Sequence, residues 1–183
     1  MKNTIAFLLL LSIAACSQRE QTQYEKDGTR VSVPGDCKVA KDKYLNESHT
    51  SRAIHIECPG NAVFSIISIP ASSPETLEQF AANVATRRAS GIQQKLSVGG
   101  VNLGNESGAT SEASQAKIKG SSTEGVRQRF SVDILGQKVP HIAEFYMLQT
   151  PQHKIVLMTQ AAETHLQESR VRWQTIFDSI AVE

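Results

Sequence analysis

The residues of this chain that could perform chemistry are its histidines, its cysteines and one serine in a glycine-rich stretch. Gly104-Asn105-Glu106-Ser107-Gly108 comes close to a nucleophile elbow, but its serine stands one position too late and no clear strand precedes it. Gly99-Gly100-Val101-Asn102-Leu103-Gly104 lacks the Lys-Ser/Thr pair of a phosphate-binding loop. The histidines are scattered without the spacing of metal ligands: His49, His55, His141, His153 and His165. We therefore expect no catalytic residues, no metal and no cofactor.

The first cysteine has a more specific setting. Cys16 directly follows Ile13-Ala14-Ala15, and an apolar run from Ile5 to Leu11 precedes them. That run is too short to cross a hydrocarbon core about 30 Å thick, whereas small residues before a cleavage point are typical of signal peptides. Ile-Ala-Ala-Cys resembles the lipobox of bacterial lipoproteins, which implies a signal peptide at residues 1–15 and lipid on Cys16. The alternative is an ordinary secretory peptide with a chance cysteine.

With Cys16 assigned to lipid, Cys37 and Cys58 remain in a compartment that permits disulfides. They do not form a Cys-x-x-Cys motif, so a structural disulfide is favoured over a redox-active or zinc site. Two buried reduced thiols are the alternative. Ser17 after the cysteine resembles outer-membrane sorting in enteric-type lipoproteins. We expect a lipid-anchored body that faces the periplasm from the outer membrane, with the inner membrane and the cell surface left open.

The charge balance bears on the kind of partner. The chain has 19 basic and 18 acidic side chains, and cleavage after residue 15 removes Lys2, so the mature chain is formally neutral. Nucleic-acid binding is disfavoured because no basic excess exists to contact phosphates. The expected partners are the membrane, through the lipid on Cys16, and an envelope or secreted protein. The oligomeric state stays open.

Hydrophobic periodicity and turn residues predict a polar flexible tether at residues 16–27 and one domain at residues 28–183. The first helix is predicted to be capped by Ser73, with Pro74 in its first turn and Gly91 as its stop. The stretch from Leu96 to Gly125 is rich in glycine and serine and is predicted to be a long loop. The other predicted elements are strands at 29–33, 52–58, 62–69, 126–134 and 155–158, short strands near 92–98 and 116–119, and a closing helix from Leu166 to Ile180.

One polar group follows from the predicted strand register. If Gly136-Gln137 forms a two-residue hairpin turn, Arg129 stands opposite Glu144 and Arg127 stands opposite Tyr146. These four residues then share one sheet face, here called the arginine face. It is either a recognition surface for an acidic partner or an ordinary cross-strand ion pair on a half-exposed sheet. No nucleophile and base accompany it.

The order of predicted elements, with hairpin turns between strands, indicates an α+β fold. It is a three-layer α/β/α sandwich with a mostly antiparallel central sheet and two main helices. Val31-Ser32-Val33-Pro34-Gly35, the strand after Pro59-Gly60, the Pro74 helix and Trp173–Ile180 together resemble the PsbP-like and DcrB-like family, which includes bacterial lipoproteins. Members often have tryptophan soon after the first proline, where this chain has Cys37.

The resemblance implies a protein that docks on other proteins. The main hypothesis is a lipid-anchored, non-enzymatic binding or accessory module facing the periplasm. One alternative is an immunity lipoprotein that neutralises a toxin delivered to the cell envelope. Another is an envelope enzyme whose site is assembled only in space.

Overall fold

The computed structural model describes residues 20–90, 106–134 and 137–182. Within these ranges the chain forms ten strands and two α-helices. Their bounds are β1 Gln21–Lys26, β2 Thr29–Pro34, β3 Lys38–Tyr44, β4 Arg52–Cys58, β5 Ala62–Pro70, α1 Leu77–Ala89, β6 Glu106–Ile118, β7 Ser121–Ile134, β8 Gln137–Gln149, β9 His153–Ala162, α2 Leu166–Ser179 and β10 Ala181–Val182. The predicted signal peptide, Cys16 and the helix stop at Gly91 lie outside the described residues.

The strands form two antiparallel sheets. The large sheet has the order β3-β4-β5-β9-β8-β7-β6, and the small one has the order β1-β2-β10. Helix α1 packs on one face of the large sheet, the α1 face, while α2 and the small sheet cover the other, the α2 face. The predicted α+β sandwich with two main helices is thereby confirmed.

Helix α1 buries Ala81, Val84 and Arg88 against the sheet. The helix begins later than the sequence analysis predicted. Thr76, not Ser73, is the N-cap, because Thr76 and Gln79 form a reciprocal capping box with each other's backbone N–H groups. Ser73 and Pro74 precede the first turn.

Helix α2 packs the bulkiest side chain of the core, Trp173, onto its face of the large sheet. Its buried residues include Trp173, Ile176 and Phe177. The Phe177 ring meets the rings of Phe64 and Tyr146 edge-on, with centroids 5.3 and 5.6 Å apart. Such aromatic contacts add to the burial of apolar area and fix how the helix lies on the sheet.

Strands β2, β4 and β5 agree closely with the prediction, but the polar outer strands were missed. The tether prediction is wrong from Gln21 onward, because β1 pairs with β2 along its whole length. The loop prediction is wrong from Glu106 to Gly125, because β6 and the start of β7 form a long hairpin there. Strand β3 was also missed. All three lie at sheet edges, where solvent-facing polar side chains hide the alternation of a strand.

The register of β7 and β8 also differs from the prediction. Ile134 stands opposite Gln137, so Arg127 faces Glu144 and Arg129 faces Ile142. The whole pairing is shifted by two residues, and the predicted pairs of Arg129 with Glu144 and of Arg127 with Tyr146 are wrong. A shift of two residues keeps every side chain on the same sheet face, so alternation alone does not detect it.

The predicted disulfide is confirmed. Cys37 and Cys58 are joined with an S–S distance of 2.04 Å. They continue the β3–β4 ladder one position beyond the pair Lys38 and Glu57. The neighbouring Asp36 accepts a hydrogen bond of 2.9 Å from Nε of Arg172 in α2. The bond thus closes the β3–β4 end of the large sheet, and Asp36 beside it is tied to the helix.

Candidate interaction face

The structure brings the four residues of the arginine face onto the α2 face of β7 and β8. Arg127 and Glu144 are direct neighbours across the two strands, and Nη2 and Nε of Arg127 lie 2.7 and 2.8 Å from Oε1 of Glu144. Tyr146 is on the same strand as Glu144, two residues further on. Arg129 lies on this face but points to other partners.

Glu144 and Tyr146 are buried beneath α2. Arg170 of that helix donates a second charged hydrogen bond, 2.8 Å long, to Oε1 of Glu144, whose side chain is only 6 % exposed. The Tyr146 hydroxyl lies 3.1 Å from that of Ser114, and burial raises the pKa of Tyr146 to about 12. Of the four predicted residues, only Arg127 and Arg129 therefore reach solvent.

Arg129 is bound by two acidic residues that the sequence did not single out. Its Nη1 lies 3.0 Å from Oε1 of Glu163, and its Nε lies 3.4 Å from Oε1 of Glu112. Glu112 also pairs with Arg127 at 3.3 Å. Counting Arg170 and Glu144, three arginines meet three glutamates, so this cluster has no excess positive charge with which to attract an acidic partner.

Glu112, Glu163 and Arg170, which complete the cluster, could not be recognised as its members from the sequence. Glu112 lies in the stretch predicted as a loop, and Glu163 stands in the short connection before α2. Arg170 lies in α2 one residue after the buried Ser169, close to the sheet that the helix covers. Long basic side chains often cover apolar surface with their stems while the charged group meets a carboxylate at the margin.

A second charged cluster joins the small sheet to the edge of the large one. Asp42 of β3 accepts hydrogen bonds from Nε of Arg52 at 2.7 Å, from Nη2 of Arg52 at 2.8 Å, from the Tyr24 hydroxyl at 2.6 Å and from Nζ of Lys26 at 2.9 Å. The hydrogen bonds from Arg52 foremost hold the pKa of Asp42 well below its usual range. Arg52 also donates to the backbone carbonyl of Lys26 at 2.8 Å.

The histidines occupy separate structural positions. Nδ1 of His55 lies 2.8 Å from the Ser65 hydroxyl, and His141 stacks on Phe130 with its Nδ1 3.0 Å from the carbonyl of Val139. Burial lowers the pKa of both imidazoles. In the ranges that the structure describes, no three His, Cys, Asp or Glu side chains converge as metal ligands.

The arrangement of layers defines an α+β sandwich of the PsbP-like type. The solution structure of cyanobacterial PsbP (CyanoP) from Synechocystis sp. PCC 6803 superimposes with a TM-score of 0.50 and 14 % identity, over 95 % of this chain and 99 % of that one. The crystal structure of LpqN, involved in cell envelope biogenesis of Mycobacterium tuberculosis, gives a TM-score of 0.38 and 11 % identity over 89 % and 90 % of the chains.

No family model and no curated protein matches the sequence. The structural likeness therefore establishes the fold, and function must be argued from the residues of this chain. Neither of the two described helices is long and apolar enough to cross a membrane.

Proposed function

We propose that this protein is a lipid-anchored, non-enzymatic accessory module that faces the periplasm and docks on another envelope protein. The observation that supports the proposal best is that one location outside the cytosol explains all three cysteines. Cys37 and Cys58 form a disulfide, which is typical of proteins outside the reducing cytosol. The remaining cysteine, Cys16, stands where Ile-Ala-Ala-Cys resembles a lipobox. One extracytoplasmic location accounts for all three residues.

The distance between the lipid and the body supports close attachment to the membrane. Strand β1 begins at Gln21, so only residues 17–20 separate Cys16 from it in the sequence. Four extended residues reach about 14 Å. The body must therefore lie near the bilayer, with the start of β1 toward it. We call this side, marked by Gln21, Pro34 and the Cys37–Cys58 bond, the anchor end.

The two charged clusters support a structural role for the polar residues that they contain. Glu144 of β8 ties the large sheet to α2 through Arg170, and Asp42 of β3 ties the large sheet to the small one through Tyr24 and Lys26 of β1. The groups in each cluster meet opposite charges at hydrogen-bonding distance, and Glu144, Asp42 and Arg52 are buried or largely so. A rigid scaffold that presents its surface to a partner needs this kind of cross-linking between layers.

Mass spectrometry of the mature protein from envelope fractions tests the anchor. We expect an N-terminal Cys16 carrying diacylglycerol, with Cys16→Ala as the unmodified control. Ser17→Asp is the matched control for sorting, because the resemblance to enteric-type lipoproteins implies that this change moves the protein from the outer-membrane to the inner-membrane fraction. An unacylated Cys16, or cleavage at another residue, would contradict the proposal.

A further inference from the structure

Basic side chains meet on the α1 face of the large sheet, at the edge formed by β3. Lys41 of β3 stands directly opposite His55 of β4, and Lys43 stands opposite Ala53. Ala53 belongs to an apolar cluster that Leu77 of α1 joins, so these side chains lie on the α1 face. Both lysines are exposed, and the imidazole is half-buried. We call Lys41, Lys43 and His55 the basic cluster.

The two lysines of the basic cluster are not neutralised by ion pairs. Among the described residues, neither Lys41 nor Lys43 has an acidic partner at salt-bridge distance. The acidic residues of β3 and β4 are used elsewhere. Glu57 pairs with Lys38 at 3.3 Å, and Asp42 lies on the α2 face, in the second charged cluster. The basic cluster therefore has an excess of positive charge.

The rest of the chain offers no further acidic group beside these lysines. Residues 1–19, 91–105 and 135–136 contain no aspartate or glutamate. Of the side chains that the structure does not describe, those of Glu106 and Glu183 are acidic. Glu106 begins β6 at the opposite edge of the large sheet, and Glu183 follows β10 of the small sheet. Neither strand lies beside β3 on the α1 face, so the charges of Lys41 and Lys43 are available to a ligand.

The imidazole of His55 is held in a fixed orientation. Its Nδ1 lies 2.8 Å from the hydroxyl of Ser65 on β5, a residue that is fully buried. Its Nε2 has no hydrogen-bond partner among the described residues. Burial foremost, and then the charges of Lys41 and Lys43, lower the pKa of His55, while Glu57 opposes them. An anion bound beside the ring would stabilise the imidazolium and raise this pKa.

The spacing of the three groups suits an anion with several oxygen atoms. Opposed residues of an antiparallel pair have Cβ atoms about 5 Å apart, and residues two positions apart on a strand are about 7 Å apart. The flexible stems of Lys41 and Lys43 therefore reach a common point above His55. Lysine binds phosphate as a compact charge with three donors. A tetrahedral phosphate accepts hydrogen bonds from three directions at once, whereas a carboxylate has only two oxygens.

We propose that Lys41, Lys43 and His55 form a binding site for a phosphate monoester group, and that His55 takes up a proton when the group binds. At neutral pH such a group carries a charge of about −1.5 to −2, which matches the two lysines. Phosphate monoesters occur on soluble molecules and on lipid headgroups, and ligands of both kinds distinguish these sources. The inference does not use the lipid anchor, so it is tested separately from the proposed function.

The pKa of His55 provides the first test. Sulfate is the probe, because it has the shape of phosphate and keeps its double charge throughout the titration. NMR of the ring signals between about pH 5 and pH 8, in sulfate and in chloride of equal ionic strength, should give a pKa at least about half a unit higher in sulfate, or about threefold in affinity. Lys41→Gln and Lys43→Gln should each remove most of this difference. His141, which stacks on Phe130, is the internal control and should titrate alike in both salts. An equal pKa of His55 in both salts would overturn the inference.

Binding of two phosphate monoesters to the purified protein tests the class of ligand. Glycerol phosphate is measured by calorimetry, and phosphatidic acid is measured by flotation of vesicles that contain it. Lys41→Gln and Lys43→Gln should each weaken binding roughly tenfold. The matched control is Lys117→Gln, which removes an exposed lysine from β6 at the opposite edge and should change nothing.

The pattern of binding identifies the source of the phosphate. Binding of glycerol phosphate alone supports a site for a soluble ligand, and binding of the vesicles alone supports a site for a headgroup. Binding of neither ligand would overturn the inference. Equal binding to phosphatidylglycerol vesicles of the same charge, equally effective displacement by a tetra-aspartate peptide, or an equal loss in Lys117→Gln would show a response to charge alone and would also overturn it.

Discussion

The substitution Asp42→Asn tests most directly how the small sheet is held to the large one. The side chain of Asp42 is 13 % exposed and that of Arg52 is 7 % exposed, so the pair is mostly withdrawn from water. Asparagine preserves the shape of the side chain but replaces one carboxylate oxygen by an NH₂ group. Both carboxylate oxygens accept from Arg52, one from Nε and the other from Nη2. In either orientation, therefore, the amide would set donor against donor.

The expected cost is about 3 kcal/mol of the free energy of unfolding. Removal of one partner from a buried ion pair costs roughly 3–5 kcal/mol, because the other charge stays buried without compensation. We place the value at the lower end for two reasons. The asparagine oxygen still accepts one hydrogen bond, and Arg52 keeps its bond of 2.8 Å to the carbonyl of Lys26. In a domain of this size, about 3 kcal/mol lowers Tm by roughly 6–12 °C.

Urea unfolding at several pH values is the appropriate assay. The folded-state pKa of Asp42 is lowered, chiefly by the Arg52 hydrogen bonds, so its contribution is present above the unfolded value of about 3.9 and is lost as the pH falls toward the folded value. The difference between wild type and Asp42→Asn should therefore be constant from pH 7 to pH 5 and narrow below about pH 4.

The matched control is Lys26→Met, which removes a neighbouring donor to the same carboxylate. The side chain of Lys26 is 55 % exposed, so its ion pair is screened by water, and the expected loss is much smaller than that of Asp42→Asn. A loss under about 0.5 kcal/mol for Asp42→Asn at pH 7, or equal losses for the two variants, would refute the view that the buried pair of Asp42 and Arg52 contributes most of the stability of this cluster.

Two further predictions concern stability. Serine at both Cys37 and Cys58 opens a loop with a sequence separation of 21 residues and should lower the free energy of unfolding by about 2–4 kcal/mol. Chemical denaturation with and without reductant measures this, and a wild type that responds to reductant less than the double variant would contradict it. Gly125→Ala should cost about 1–3 kcal/mol through overpacking, since a Cβ there would lie 2.5 Å from the Tyr146 ring and against the carbonyl of Phe145. A thermal scan of Gly125→Ala checks this loss of stability. An unaltered Tm would contradict it and would mean that β8 can shift to make room for the added methyl group.

The sequence predicted the inner part of the fold because burial leaves a clear pattern. In β4, Ile54, Ile56 and Cys58 share one buried face, and the turn at Pro59-Gly60 follows directly. Gly60 adopts φ 76°, a conformation that glycine allows at the third position of a type II turn. The two helices could also be predicted, since the spacing of the apolar residues that face the core depends only on the period of the helix.

The candidate site was harder to predict because it depends on contacts between distant segments. The sequence placed Arg127 and Glu144 on one face, which needs only alternation, but it did not fix their pairing, which needs the exact register. Arg170 and Glu163 come from the region of α2, and no local rule states which strand that helix covers. Apart from its end, where a short strand near 116–119 was predicted, strand β6 was missed, because small polar residues have low strand propensity and make a strand only when a neighbour such as β7 supplies the ladder.

The antiparallel pairing of β1 with β2 has a mechanical consequence. If Cys16 carries the proposed lipid, a pull on the body reaches the fold through Gln21, where β1 begins opposite Pro34. The chain continues into the body from Pro34, so the two ends of this hairpin lie side by side. When they are drawn apart, the pairs open one after another, from Gln21–Pro34 to Lys26–Thr29. Strand β2 stays in place longer, because a hydrogen bond of 2.9 Å from its Ser32 amide to the Ser179 hydroxyl fixes it to α2. Strand β1 would therefore be the first element to yield under load, and its release would lengthen the tether while the body remains folded.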